Sequence, residues 1–271
     1  MYDYHMHSAF SSDTNVSMKA MIESAIQKGF KQITFTDHID YEYNSSEISF
    51  EFDTDEYKKE ILNYREIYGH LIEINLGLEI GIQPHVLDRC KTLVESVEPD
   101  FIIASLHNVH KMDLYLGDFY IGKTPEEALK ASFEEIELML EKFSDFCVIG
   151  HLDIIKRYNK DVLKLPKSKF IEYATPLLNR IIQMGRGIEV NTSGLRQGLG
   201  ETLPSFELLA LYRNLGGEIL TIGSDAHQPE DVGHSFKVVL EKLQELGFEN
   251  IYTFKKMIPI PIEIEHLLKS L

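Results

Sequence analysis

A chain of 271 residues with 44% apolar residues is long enough to bury one large core, so we expect a single domain over residues 1–271. Its 43 acidic residues against 27 basic ones give a formal charge of -16, which disfavours broad binding to nucleic-acid phosphates or anionic membranes. The sequence shows neither a leader pattern nor an apolar run near the roughly 20 residues of a membrane span, so we expect a cytoplasmic protein.

Strand and helix patterns alternate along the chain, with little sequence between them. Runs rich in β-branched or aromatic residues predict seven strands, at residues 2–7, 32–38, 72–80, 101–107, 146–151, 187–192 and 219–224. Apolar residues at helical spacing predict helices at residues 17–28, 54–68, 86–97, 125–143, 167–184, 205–215 and 230–246. The fourth helix has the clearest start, because Thr124 can cap it and Pro125 suits its first turn.

This alternation predicts parallel strands joined by helical crossovers, in an open sheet or a closed barrel. Closure brings the ends of several strands around one point, so we predict an α/β fold, a seven-stranded (β/α) barrel with a metal site at the carboxyl-terminal ends of the strands. Residues 249–271, which contain Pro259 and Pro261, could add a short eighth strand or cover an edge. The acidic and aromatic residues 41–55 could form a lid.

The candidate metal ligands stand where the predicted strands end. His5 and His7 are two residues apart in the first strand and therefore point to the same face. Asp225 and His227 repeat that spacing at the end of the seventh strand. Glu79 stands among apolar residues and glycines, where an unpaired carboxylate is costly to bury, so we expect a cation beside it.

Three further histidines, His38, His107 and His151, close other apolar runs. Each alone is more typical of a hydrogen-bonded core histidine, but the whole set indicates a multinuclear metal centre. Nitrogen and carboxylate ligands without thiolates suit zinc, manganese or iron. Cys90 and Cys147 are expected to be buried free thiols.

Short motifs around these residues follow one another in a specific order. They are His5-Met6-His7, Asp13, Thr36-Asp37-His38, Gly77-Leu78-Glu79, Ser105-Leu106-His107, Gly150-His151 and Ser224-Asp225-Ala226-His227. The set resembles the polymerase and histidinol phosphatase (PHP) superfamily, and within it the monofunctional histidinol-phosphate phosphatases, over almost the whole chain. The resemblance implies a distorted (β/α)7 TIM-like barrel that holds two or three divalent ions.

By this resemblance, three sets of side chains hold the ions. The sets are His5, His7, Glu79 and Asp225 for the first ion, Glu79, His107 and His151 for the second, and Asp13, His38 and His227 for the third. The alternative for Asp13 is an exposed residue that caps a turn before Val16.

Such a centre suits the hydrolysis of a phosphate ester, because two ions about 4 Å apart can activate water and neutralise phosphate oxygens. We predict Glu79, Asp225 and His227 to be the catalytic residues, and the sequence leaves the general acid open. Arg157 and Arg196 follow predicted strand ends, and by resemblance they bind the substrate phosphate. Surface salt bridges are the alternative for both arginines.

The resemblance also implies a small phosphorylated substrate, L-histidinol phosphate, which is hydrolysed to L-histidinol and inorganic phosphate in histidine biosynthesis. Acidic residues at the mouth, such as Asp40, Glu42 or Glu47, would suit its cationic groups. Three alternatives remain open. They are a PHP protein-tyrosine phosphatase, a PHP nuclease, which the acidic charge disfavours, and a metal-binding module without turnover, which the near-complete ligand set disfavours.

Overall fold

Strands and helices alternate along the chain in the predicted order. The computed structural model describes residues 1–43 and 49–270. Its strands are β1 (Tyr2–Met6), β2 (Gln32–Phe35), β3 (His38–Ile39), β4 (Glu73–Gly81), β5 (Phe101–Ser105), β6 (Asn108–Val109), β7 (Met112–Asp113), β8 (Val148–Ile149), β9 (Gly187–Asn191), β10 (Leu220–Gly223), β11 (Asn250–Lys255) and β12 (Ile258–Glu263). Its α-helices are α1 (Met18–Gln27), α2 (Thr54–Tyr68), α3 (Leu87–Val97), α4 (Pro125–Leu140), α5 (Ile155–Tyr158), α6 (Lys167–Gln183), α7 (Ser193–Arg196), α8 (Phe206–Asn214), α9 (Phe236–Glu245) and α10 (Ile264–Lys269).

The parallel strands form a nearly closed barrel in the order β1-β2-β4-β5-β8-β9-β10, and β3 continues the line of β2 by pairing with β4. The barrel closes where β1 meets the end of β10. His7 N donates a hydrogen bond to Ala226 O at 2.9 Å, and Asp225 N donates one to His5 O at 2.8 Å. The predicted fold class, a distorted seven-stranded TIM-like barrel, is confirmed.

Both faces of the sheet are buried, which explains why its strands are apolar along most of their length. In β4, residues 74–81 are all buried. Leu76, Leu78 and Ile80 belong to the main core, which lies between the sheet and the helices. Asn75 and Glu79 alternate with them and therefore point into the barrel. The inner face of the sheet is thus free to carry polar groups.

The carboxyl-terminal segment covers the base of the barrel. β11 and β12 form an antiparallel hairpin outside the barrel sheet. The ring of Phe254 lies 5.1 Å from that of Phe101, and Phe254 N donates a hydrogen bond to Tyr4 Oη at 2.7 Å. Residues 249–271, which are described to residue 270, therefore do not add an eighth strand to the barrel. They form a cover instead.

Some predicted bounds differ from the structure. The helix predicted at residues 230–246 begins only at Phe236, because Gly233 and Ser235 take left-handed φ values of 70° and 62° that interrupt it. The strand predicted at residues 146–151 keeps only the two residues of β8. The short elements β6, β7, α5 and α7 were not predicted, since two to four residues carry too little pattern.

Several smaller expectations have their outcome here. Cys90 and Cys147 are buried and free, as predicted. Within residues 1–43 and 49–270, no helix is both long and apolar enough to cross a membrane.

The lid predicted at residues 41–55 lies partly outside the described residues, but Tyr43 and Phe50 on either side line a common cavity with their rings 4.8 Å apart. The barrel and its helices share one main core, which supports the proposal of a single domain over residues 1–271.

Replacing Phe254 with Ala is expected to lower the free energy of unfolding by about 3–5 kcal/mol, because a buried ring is lost and a cavity remains. Denaturant unfolding followed by circular dichroism measures the change. The control is Ile258→Ala in the same hairpin, where the side chain is 66% exposed and the expected change is within about 0.5 kcal/mol. Equal stability of the Phe254 variant and the parent would contradict a covering role for the hairpin.

Candidate metal centre

A cavity of about 450 Å³ opens at the carboxyl-terminal ends of the barrel strands. It is lined by Asp13, His38, Asp40, Tyr43, Phe50, Glu79, His107, Asp113, Tyr115, Leu116, His151, Ile154, Arg157, Tyr158, Gln197, Asp225 and His227. Seven of the nine predicted ligands are among these residues, and the other two, His5 and His7, are fully buried next to Glu79. The structure therefore brings all the predicted ligands to one place.

The first predicted ligand set lies where β1 meets β4 and the end of β10. The Nε2 atoms of His5 and His7 are 3.1 Å apart, and His5 Nε2 lies 3.1 Å from Glu79 Oε2. His7 Nε2 lies 3.4 Å from Asp225 Oδ1. Nitrogen ligands of a tetrahedral zinc ion, at Zn–N distances of about 2.0–2.1 Å, are about 3.3 Å from one another. His5, His7 and Asp225 are therefore spaced as ligands of one ion, and Glu79 lies in contact with His5.

Glu79 turns its two oxygens toward different histidines. Oε1 lies 2.7 Å from His151 Nε2 and 3.3 Å from His107 Nε2, and it accepts a hydrogen bond from Ser105 Oγ at 2.6 Å. Oε2 faces His5 Nε2 on the other side. One carboxylate thus joins the first and second predicted sets and can bridge two ions.

The third predicted set is the most exposed. Asp13 Oδ2 lies 2.9 Å from His227 Nε2 and 3.5 Å from His38 Nε2. The side chains of Asp13, His227 and His38 are 33%, 28% and 13% exposed, whereas those of His5 and Glu79 are inaccessible. An ion in this set would therefore exchange with solvent more readily than one held by His5 and Glu79.

The described residues form three clusters compact enough to hold an ion, namely His5-His7-Asp225, His38-Glu79-His107 and His7-His38-His227. The first contains three of the four side chains of the predicted first set. The other two clusters combine residues of different predicted sets, because His38 Nδ1 lies 3.1 Å from Glu79 Oε2 and the His38 ring stacks 4.4 Å from that of His7. The assignment of His38 to the third set stays a prediction.

Burial and neighbouring charges set the ionisation of the ligands. Burial, together with the nearby His227 and His38, lowers the pKa of His7 to about 3, so that its imidazole is neutral. Burial acts against ionisation of Glu79, but His5 and His38 hold its pKa well below the usual value. Burial also acts against ionisation of Asp225, but the neighbouring histidines hold its pKa below the usual value. A neutral imidazole and ionised carboxylates are the forms that bind divalent cations.

An unpartnered ring nitrogen also fits a bound cation. His38 Nδ1 is buried and makes no hydrogen bond of good geometry to any described residue, although it lies 3.1 Å from Glu79 Oε2. A buried polar atom without a partner is costly and calls for an explanation, such as an ion. Together with a donor set of imidazoles and carboxylates, this atom shows that the residues present fit divalent metal ions.

Two buried carboxylates behind the ligands were not predicted to touch them. Glu189 Oε1 lies 2.5 Å from His5 Nδ1, and Asp40 Oδ1 lies 2.7 Å from His107 Nδ1. Glu189 lies between Ile188 and Val190 in β9, which is the same signal of an anion in an apolar strand that identified Glu79. The signal was therefore present in the sequence.

The acidic residues predicted at the mouth have different positions. Asp40 is only 2% exposed and is engaged with His107. Glu42 Oε2 lies 3.2 Å from His85 Nε2. Glu47 lies outside the described residues. A role for these residues toward the substrate stays a prediction.

Two glycines give the buried carboxylates their space. A Cβ at Gly81 would overlap the carboxylate of Asp40, and a Cβ at Gly223 would lie 2.5 Å from both Glu189 Oε1 and His5 Cβ. Larger residues at these positions would displace the groups behind the ligands. Glycine at residues 81 and 223 thus has a steric reason, because each position leaves room for a buried carboxylate.

Arg157, on α5, lines the cavity. Its Nη2 donates a hydrogen bond to Asp225 Oδ2 at 3.1 Å and another to Ser193 Oγ. Burial acts against its charge, but Asp225 keeps the pKa of the guanidinium above the ordinary value. A positive charge therefore stands beside the candidate metal centre.

Arg196, on α7, supports the backbone around Asp225 instead. Its Nη1 and Nη2 donate hydrogen bonds to Ser224 O and Asp225 O, each at 2.8 Å, and its Nε lies 3.3 Å from Asp231 Oδ2. Asp225 has a left-handed φ of 53°, which few non-glycine residues adopt without such support. Phosphate binding by Arg196, as by Arg157, stays a prediction.

Comparison with known proteins assigns the barrel and its centre to a family. Residues 3–193 match the model of the PHP domain, so the chain belongs to the PHP-domain family. The chain is 29% identical to the histidinol-phosphatase of Lactococcus lactis over 257 residues, which cover 94% of each protein. It is 26% identical to the histidinol-phosphatase of Bacillus subtilis, over 89% of this chain and 98% of that protein.

Solved structures show the same similarity. The crystal structure of histidinol phosphate phosphatase from Lactococcus lactis, complexed with zinc, L-histidinol and phosphate, has a TM-score of 0.88 and 28% identity, and the match covers 96% of this chain and 98% of that one. A putative histidinol phosphatase from Listeria monocytogenes has a TM-score of 0.77 at 19% identity, over 88% of this chain and 99% of that one, and supports the fold alone. The resemblance predicted from the motifs is confirmed.

The His5→Ala variant is expected to lose bound metal and phosphatase turnover. The reason is that His5 Nε2 is a buried candidate ligand atom, 3.1 Å from both His7 Nε2 and Glu79 Oε2. Elemental analysis of protein produced with ample zinc, manganese and iron measures the loss. His110→Ala is the control, since His110 is 58% exposed and pairs with Glu135. Unchanged metal content and kcat in the His5 variant would contradict the assignment.

Proposed function

We propose that this chain is a metal-dependent phosphomonoesterase of histidine biosynthesis, which hydrolyses L-histidinol phosphate to L-histidinol and inorganic phosphate. The observation that carries the proposal is the Glu79 carboxylate, whose two oxygens face separate histidines in a cavity that Arg157 also lines. Similarity to histidinol-phosphatases over nearly the whole chain supports L-histidinol phosphate as the substrate.

We also propose that two or three divalent ions bind at this centre, with zinc, manganese and iron as candidates. The ligands would be His5, His7, Glu79 and Asp225 for the first ion, Glu79, His107 and His151 for the second, and Asp13, His38 and His227 for the third. When bound, such ions lower the pKa of a water molecule and neutralise the charge of phosphate oxygens. The exposure of the third set supports weaker binding of the third ion.

In this proposal Arg157 binds the phosphate of the substrate. A guanidinium presents paired donors that match two phosphate oxygens, and its contact with Asp225 holds it at the edge of the ligand cluster. Phosphate bound there would have its phosphorus directed toward Glu79 and the histidines. Positioning and electrostatic stabilisation of this kind account for most of the acceleration of phosphoryl transfer.

Glu79, Asp225 and His227 are the proposed catalytic residues. Glu79 fixes the relative position of the two inner ligand sets. Asp225 Oδ1 lies 3.4 Å from His7 Nε2 and 3.6 Å from His227 Nδ1, so His227 stands beside Asp225 and can hold a proton next to the reacting group. A water oxygen attacks phosphorus while the ester P–O bond breaks, water gives up a proton, and the departing alkoxide takes one up.

A panel of three substrates tests this function. Histidinol phosphate is expected to give the highest kcat/KM, ahead of a phosphotyrosyl peptide and a single-stranded oligonucleotide, because a cavity of about 450 Å³ suits a small ester. A preference for the peptide or the oligonucleotide would instead identify a tyrosine phosphatase or a nuclease. No turnover of any substrate by metal-loaded protein would favour a binding module.

Kinetics of arginine variants distinguish the two guanidinium groups. Arg157→Ala is expected to raise KM for histidinol phosphate about 10–100-fold with its metal retained, because a charge-assisted contact with phosphate is lost. Arg196→Ala is expected to lower kcat and metal content together, because the backbone of Asp225 loses its support. Arg213→Ala, at a residue that pairs with Glu218, is the control. A rise in KM alone for the Arg196 variant would support the phosphate role predicted from the sequence.

A further inference from the structure

β9 supplies none of the nine predicted ligands, yet the side chain of Glu189 in this strand contacts two of them. Glu189 is fully buried, and its Oε1 lies 2.5 Å from His5 Nδ1. Its Oε2 accepts hydrogen bonds from His151 N at 2.8 Å and from Asn191 Nδ2 at 3.3 Å. One carboxylate therefore contacts a side chain of the first ligand set and the backbone of a residue in the second.

The chemistry of this contact determines which nitrogen of His5 carries a proton. A carboxylate oxygen accepts a hydrogen bond from a ring N–H, so the contact with Glu189 Oε1 places a proton on His5 Nδ1. The other ring nitrogen, Nε2, lies 3.1 Å from both His7 Nε2 and Glu79 Oε2. Nε2 is therefore the nitrogen that faces the ligand cluster and is placed to bind a metal ion.

The surrounding backbone is shaped around the carboxylate. A Cβ at Gly223 would lie 2.5 Å from Glu189 Oε1. The neighbouring strand β10 therefore ends in a residue without a side chain where it faces Glu189. Burial of an anion that only filled space would be costly, so its hydrogen bonds to His5 and His151 give the reason for its presence.

We propose that Glu189 is a positioning residue of the metal centre, which fixes the orientation and tautomer of the His5 ring and ties the backbone of His151 to it. The inference rests on the proposed function, because it assumes that His5 binds a metal ion. Groups that hold a metal-binding histidine from behind typically change metal affinity about 10–100-fold when they are removed. Glu189 does not line the cavity, so its effect on substrate must pass through the ligands.

Two variants separate positioning from packing. Glu189→Leu keeps much of the volume but removes every acceptor, so His5 is free to take the tautomer that places a proton on Nε2. Glu189→Gln keeps one acceptor oxygen for the two donors, His5 Nδ1 and His151 N, and should retain part of the effect. Glu135→Gln is the matched control, because Glu135 is 5% exposed and accepts a hydrogen bond from His110 N.

The measurement is the zinc retained by full-length, zinc-loaded protein against increasing concentrations of a chelator, together with kcat, KM and circular dichroism. Glu189→Leu is expected to release zinc at about 10–100-fold lower chelator concentration than the parent, with Glu189→Gln between them and Glu135→Gln equal to the parent. In zinc-loaded samples kcat should fall more than KM rises, since the substrate does not touch Glu189.

Retention of zinc by both Glu189 variants at parental chelator concentrations would overturn the inference. If the Leu variant does not fold, Glu189→Gln alone decides, and parental retention by that variant is again contradictory. Failure of the proposed function gives a different result. If the parent protein holds no zinc, the inference fails as well. If the parent holds zinc but does not hydrolyse histidinol phosphate, only the proposed function fails, and the role of Glu189 in metal binding stands.

Discussion

The charged carboxylate of Glu79 is buried from solvent. The positions of the residues around it follow from the need to stabilise that charge. Its carboxylate is inaccessible, and His5, His151, His107 and His38 all lie within 3.3 Å of one of its oxygens. Each of these residues comes from a different position in the sequence, and only a closed parallel sheet directs so many strand ends to one point. The barrel is therefore the scaffold that brings this cluster of charges together, and its imidazole and carboxylate donors fit divalent cations.

The two ends of the barrel have different tasks. At the carboxyl-terminal end, the left-handed φ of Asp225 and the close approaches at Gly81 and Gly223 show a backbone shaped by the site. At the amino-terminal end, Tyr4, Phe101 and Phe254 fill the interior with aromatic rings. Stability is gained at the base, where no reacting group has to be accommodated, and the mouth is free to hold strained and charged groups. Such a division is common where chemistry is performed on the ends of barrel strands.

Most of the fold and of the ligand set could be predicted because they depend on local patterns. Two-residue spacing placed His5 beside His7, and an anion in an apolar strand identified Glu79. Contacts between residues that are far apart in the sequence could not be predicted from local patterns. The sequence placed Arg196 near the mouth, but it gave no sign that the guanidinium donates to the carbonyl oxygens of residues 224 and 225. The hairpin of residues 250–263 was also ambiguous, since a strand pattern does not state which sheet the strand joins.

The seam between β1 and β10 imposes an order of events on biosynthesis. His5 O accepts its hydrogen bond from Asp225 N, so the segment that contains His5 must wait for a segment that is synthesised much later before this side of the barrel closes. A nascent chain that ends before residue 225 lacks a ligand of the innermost set, whatever its helices have already formed. An ion that requires Asp225 as a ligand can therefore bind only after this residue has been synthesised and has paired with β1.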